Sequence, residues 1–262
     1  MKKLILLMLA ICTLPGYAAE RQFDIELIVF KRAVDPEQVS ETWPTVLPAI
    51  DDSSAGEFWD ATYLEEKKAS DLSTEKENFQ LTDQAGKLIN HAGFEVLLHR
   101  VWRQGDEGKK AAPKFHIRAG KDYSKEFNRD GSEKIQFADM TDANGEPLTE
   151  QTIDNPLYEL DGVIQVYVQH YLFLEAQLDL KAPGIREVVL EDKQLELSET
   201  ESDDTVQIGN FEQISPTVQV ERFLKSYRLD QKRRMRSSET HYIDHPLMGI
   251  IIQVRKVKQT AQ

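Results

Sequence analysis

The sequence predicts an α+β fold, with a mainly antiparallel sheet, one or two packed helices and long irregular loops. Three observations predict it. Apolar and polar residues alternate near both ends of the chain and in its middle. One stretch carries helical spacing with end signals, and segments rich in Pro and Asp without periodicity separate these parts. No internal repeat recurs at a fixed spacing.

Phe23, Ile25, Leu27 and Val29 alternate with Asp24 and Glu26, which predicts a half-buried strand. Ile28 and Phe30 add apolar surface to its second face, so this end is expected to be covered on both sides. From Asp35 to about Leu81 the periodicity fades around Pro36, Pro44 and Pro48, which predicts a long irregular segment with one short helix. Thr82 then reads as a helix N-cap, with Ala85, Leu88, Ile89 and Ala92 at helical spacing and Gly93 at the end. Phe94 to Trp102 follows as a strand.

Val163 to Leu180 alternates almost without a break. At about 3.3 Å per residue it is too long for one straight element, so a bend or two consecutive strands are expected. Ser215-Pro216-Thr217 resembles a helix start, although an extended reading of the following stretch fits equally. Met248 to Val257 is a final strand, entered by a turn at Asp244 to Gly249. The structure of 105–150 is not legible from pattern.

Met1-Lys2-Lys3, the apolar run Leu4 to Leu14 and the small residues around Ala18 have the order of a secretory signal peptide. The expected organisation is a signal peptide over 1–18, cleaved after Ala18, and one α+β periplasmic domain over 19–262. A division into two subdomains around 150–160 stays open. About 11 apolar residues fall short of the roughly 20 needed to span a bilayer, so no stable membrane insertion is expected after cleavage. Cys12, the one cysteine, lies inside the apolar run. The mature chain therefore has no disulfide, thiol chemistry or cysteine-based zinc site.

The chain holds 32 basic against 45 acidic residues, a net charge of −13. Losing Lys2 and Lys3 leaves 30 basic residues and a net charge of −15. Such a balance repels polyanions and argues against nucleic acid as a partner. Glu191 to Asp204 holds seven acidic residues and one lysine, and is expected to be a mobile acidic loop.

Against that background the cluster Lys232-Arg233-Arg234-Met235-Arg236 stands out. In an extended chain Arg228, Lys232, Arg234, Arg236 and Tyr242 share one face, a basic ribbon. Leu229, Arg233, Met235, His241 and Ile243 share the other, mostly core. Arginine grips carboxylates in a bidentate fashion, so a polycarboxylate ligand is a candidate, the alternative being pairing with the chain's own acids. His241 and His245 do not read as a metal pair. Pro246 disfavours a helix there, and on a strand they would lie about 13 Å apart. Arg100 and Trp102 share one side of a strand and could hold a sugar ring and its carboxylate, unless Trp102 closes the core.

No nucleophile elbow, His-Glu-x-x-His, Walker or dinucleotide-binding motif occurs. No enzyme, cofactor or metal is therefore predicted.

The segments FDIELIVFKR from Phe23, LLHRVWRQ from Leu97 and above all RRMRSSETHYIDHPLMG from Arg233 resemble the CsiV family. These are periplasmic peptidoglycan-binding proteins linked to cell-shape integrity. The resemblance implies a non-catalytic role, binding peptidoglycan and supporting a bifunctional penicillin-binding protein with its outer-membrane lipoprotein activator. It supplies no ligand-contacting residues. The candidates Arg233, Arg234, Arg236, Arg100, Trp102, His241 and Tyr242 rest on the physical argument. Two alternatives stay open: an envelope protein-interaction module without glycan contact, and a wall hydrolase with a dispersed site.

Overall fold

The computed structural model describes residues 21–134, 155–190 and 217–258. The signal peptide over 1–18, the acidic loop 191–204 and the first half of the 150–160 boundary lie outside the described residues. The strands are β1 (Gln22–Arg32), β2 (Ser70–Asp71), β3 (Phe94–Gly105), β4 (Lys114–Asp122), β5 (Tyr158–Gln169), β6 (Tyr171–Leu190), β7 (Thr217–Met235), β8 (Thr240–Asp244) and β9 (Met248–Lys256). The helices are α1 (Ala61–Glu66) and α2 (Thr82–Ile89).

Two sheets form, ordered β2-β3-β1-β9-β8 and β4-β5-β6-β7, and all their pairings are antiparallel. The fold is α+β, as its alternation predicts. Strand β1 lies at the centre of the five-stranded sheet, with Ile25 opposite Trp102 on one side and Val254 on the other. Its odd residues Phe23 to Val29 join the residues from β5, β6 and β7 that fill the core between the sheets. Ile28 and Phe30 face the other way and pack with Leu81, Ala85 and Leu88 around α2. That double covering explains why β1 is apolar on both faces.

The long alternating stretch is two strands. His170 turns the chain with φ of 62°, which places Gln169 opposite Tyr171 and makes β5 and β6 a hairpin. The segment from Thr217 is strand β7, not a helix. Tyr227, Leu229 and Met235 enter the core at a period of two, opposite Leu180, Leu178 and Leu172 of β6. Strand β4, not anticipated from pattern, forms the other edge of this sheet.

Helix α2 also differs at its start. Leu81 is the N-cap, and Thr82 is already helical. The capping acceptor comes from another strand, because the Glu26 carboxylate accepts from the amides of Gln80 (2.7 Å) and Leu81 (2.8 Å). The helix ends at Ile89, and the Gly93 amide donates to His91 Nδ1 at 3.0 Å in the turn that follows. Among the described residues no helix is long and apolar enough to cross a membrane.

Candidate functional site

One face of the four-stranded sheet enters the core, and the opposite face carries rows of polar side chains. From β4 come Lys114, His116 and Arg118, and from β5 Asp161, Gln165 and Tyr167. Strand β6 adds Lys181, Asp179, Gln177 and Glu175, and β7 adds Arg228, Asp230, Lys232 and Arg234. Antiparallel register sets opposite charges side by side. Asp179 takes a bidentate grip from Arg228 at 2.8 and 2.7 Å. Asp161 accepts from His116 at 2.8 Å and Lys181 at 2.9 Å. Glu175 receives the Tyr167 hydroxyl at 2.8 Å and the ammonium groups of Lys109 at 2.5 Å and Lys232 at 3.1 Å.

Burial works to raise the Glu175 carboxyl, but the hydrogen bonds from Lys109, Tyr167 and Lys232 outweigh it and hold the group at about 2. Asp161 is likewise held at about 2, its own burial being overcome by His116 and Lys181. Both carboxyls therefore sit below their ordinary values of 4.5 and 3.8. In the window between those values and 2 the unfolded chain binds more protons, so stability falls as pH falls. Urea unfolding at pH 6, 4 and 3 is expected to show this loss, and Glu175→Gln is expected to flatten it by about 1–2 kcal/mol after allowance for solvent screening. An unchanged slope in that variant would remove Glu175 from the account.

Above this face lies a groove of about 1020 Å³, lined by Lys67, Lys109, Lys110, Lys114 and Lys232 against Asp51, Glu175 and Asp230. Five cations to three anions make a local positive site on an acidic chain. Its floor is rigid. Gln165 donates to the carbonyls of Lys109 (2.8 Å) and Ala112 (3.0 Å), tying the Lys109-Lys110 loop down onto β5. Lys232 also lies 5.3 Å from the centroid of the Phe173 ring, which stacks on Tyr167. A second hollow of about 600 Å³ continues along the same face past His116, Arg118 and Arg228. The Pro48–Asp51 segment lies across the sheet, its carbonyls accepting from Arg228 (2.6 Å) and Lys114 (2.5 Å).

The sequence candidates do not gather into one patch. Arg234 lies in the outer row beyond Lys232, with its guanidinium 4.3 Å from the centroid of the Tyr171 ring. Arg233 is exposed on the opposite side of β7, across from Leu174. Arg236 is in the turn after β7, 3.6 Å from Glu239, and its amide donates to His241 at 3.1 Å. Tyr242 belongs to the other sheet and stacks with Phe30, its hydroxyl donating to Asp244 at 2.6 Å and accepting from Arg32 at 2.6 Å. Facings within β7 and β8 follow the alternation, with Met235 and Ile243 both buried. The chain changes sheets between them, so their outward residues point to opposite sides of the sandwich. Arg100 lies over Phe58 and 3.6 Å from Asp71. Trp102 is fully buried and presents no surface to a ligand. Among the described residues no group of three or more His, Cys, Asp or Glu side chains is placed to hold a metal ion.

A family model described as peptidoglycan-binding protein, CsiV, matches residues 2–257. The chain belongs to the CsiV family. No curated protein and no solved structure matches it.

Within this CsiV chain the three segments that carry the resemblance stitch the five-stranded sheet together. Asp24 grips Arg103 at 2.6 and 3.0 Å, Glu26 meets His99 at 2.9 Å, and Arg32 meets Asp244 at 2.5 Å. The groove lysines fall outside those segments. In sequence Lys67-Lys68 and Lys109-Lys110 are doublets and Lys232 opens the basic cluster, but only folding brings Lys67, Lys109, Lys110, Lys114 and Lys232 together.

Proposed function

We propose that this chain is a non-catalytic periplasmic protein that holds peptidoglycan on the outer face of its four-stranded sheet. There it supports a bifunctional penicillin-binding protein and its outer-membrane lipoprotein activator in wall assembly. The observation that carries the site is the lysine groove. Peptidoglycan stem peptides present carboxylates, and the clustered ammonium groups attract them by charge, with Lys109 and Lys232 shared with Glu175. Arg234 on Tyr171 extends the cationic row at one end. The family description supports the ligand, and the signal-like opening of the sequence supports the compartment.

Sedimentation with purified sacculi tests the reading. Lys109→Ala, Lys110→Ala and Lys114→Ala together are expected to weaken retention about tenfold at low salt, and added salt should weaken the unmodified chain as well. Arg233→Ala, Arg234→Ala and Arg236→Ala together should cost less, because Arg233 and Arg234 leave β7 on opposite sides. Retention of the lysine variant at the level of the unmodified chain would reject the groove. A chain that never sediments with sacculi would reject direct wall binding. Co-purification from crosslinked cells tests the partners and the compartment in one measurement.

A further inference from the structure

Trp59 is 70% exposed, whereas Trp102 is fully buried and Trp43 packs edge-on against Tyr227 at 5.5 Å. A single exposed apolar side chain is ordinary on a protein surface, so the case for a ligand rests on what surrounds this one. The chain on both sides of Trp59 is anchored. On one side Phe58 enters the core and stacks on Phe115 at 4.1 Å. On the other, Asp60 caps α1 by accepting from the Tyr63 amide at 3.1 Å. Just before them Gly56 is pinned to β4, donating to the Lys114 carbonyl and accepting from the His116 amide, both at 2.9 Å.

The ring also has polar company. The Arg118 guanidinium lies 5.7 Å from the Trp59 centroid, and Glu57 pairs with that same guanidinium. Arg118 lies over one face of the indole, and the remaining face, with the Arg118–Glu57 pair at its back, matches a pyranose ring. The apolar C–H face of the sugar lies on the indole, and its hydroxyls reach the charged groups. Arg118 follows Lys114 by four residues along the outer row of β4, about 13 Å at strand spacing.

We infer that Trp59 and Arg118 form a sugar-stacking platform for the glycan backbone, while the lysine groove takes the carboxylates of the attached peptides. The inference rests on the peptidoglycan-binding reading and divides the ligand between two sites. It makes glycan and peptide separable in binding.

Two probes separate them: glycan strands stripped of peptide by an amidase, and free stem peptide without sugar. Trp59→Ala is expected to weaken binding of the stripped glycan about tenfold, with Trp59→Phe intermediate. Its binding of free stem peptide should stay within about twofold, as expected of an exposed substitution away from the groove. In the unmodified chain, stripped glycan should shield the accessible tryptophan from a soluble quencher. Equal glycan binding by Trp59→Ala overturns the platform, as does an unmodified chain that binds intact sacculi but not stripped glycan. If the unmodified chain binds neither, the peptidoglycan-binding reading itself falls.

Discussion

Replacing Trp102 by alanine is expected to remove about 3–5 kcal/mol of folding free energy, the range for deleting a large aromatic side chain from a packed core. Trp102 packs against Phe58 and Phe115, each at a centroid distance of 5.5 Å. Its indole N–H donates to the Gln104 amide oxygen at 2.7 Å, and the Gln104 nitrogen donates to the Val166 carbonyl at 2.8 Å. The relay runs from β3 in one sheet to β5 in the other, so the substitution opens a void and leaves buried Gln104 short of a partner. Trp102→Phe should recover most of the packing and none of the hydrogen bond. Urea denaturation measures both, and a loss below about 1 kcal/mol for the alanine variant would contradict the core assignment. Sacculus binding by the fraction still folded should not change, because no ligand reaches this ring.

A comparable loss, about 3–5 kcal/mol, is expected for Glu26→Ala, since removing one member of a buried ionic network strands the others. Glu26 is fully buried, yet its carboxyl is held below the ordinary value. Burial acts to raise it, and the His99 ring, the amides of Gln80 and Leu81 and the Arg255 guanidinium prevail. Arg255 approaches to 2.6 Å. The carboxylate thus joins three strands to the start of α2. Glu26→Gln keeps the shape but replaces one acceptor oxygen by a donor that faces other donors, so it should recover only part of the loss. Amide exchange should rise first in α2. Full protection of α2 in Glu26→Ala would show that the helix needs no capping carboxylate.

The strands at both ends and in the middle were legible because each has one face against the core, and burial imprints a period of two on the residues. In the extended reading Leu229, Met235 and Ile243 fall on the inward face, and the structure takes that reading. The turn at His170 left no such imprint, since it occupies a single position between two alternating runs. Helix α2 was legible from Ala85 and Leu88, but its cap was not, because the acceptor lies 55 residues away on β1. Strand β4 stayed hidden. Only Phe115, Ile117 and the half-buried Ala119 mark its inner face, and its outer row of Lys114, His116 and Arg118 is polar.

The candidate site was less legible. Local spacing gathers Arg233, Arg234 and Arg236 in sequence, but neighbours on a strand point to opposite sides, and a change of sheet reverses outward directions again. Lys67, Lys109, Lys114 and Lys232 are scattered in sequence and meet because α1, a loop and two strands of one sheet converge.

The order of the alternating segments, the inward faces of the strands that alternate clearly and the family were thus determined by the sequence itself, through burial of apolar side chains and through recurring motifs. The tertiary structure alone decided which charges meet. Electrostatic attraction depends on distance in space, and only the pairing and stacking of the sheets convert positions in the chain into distances.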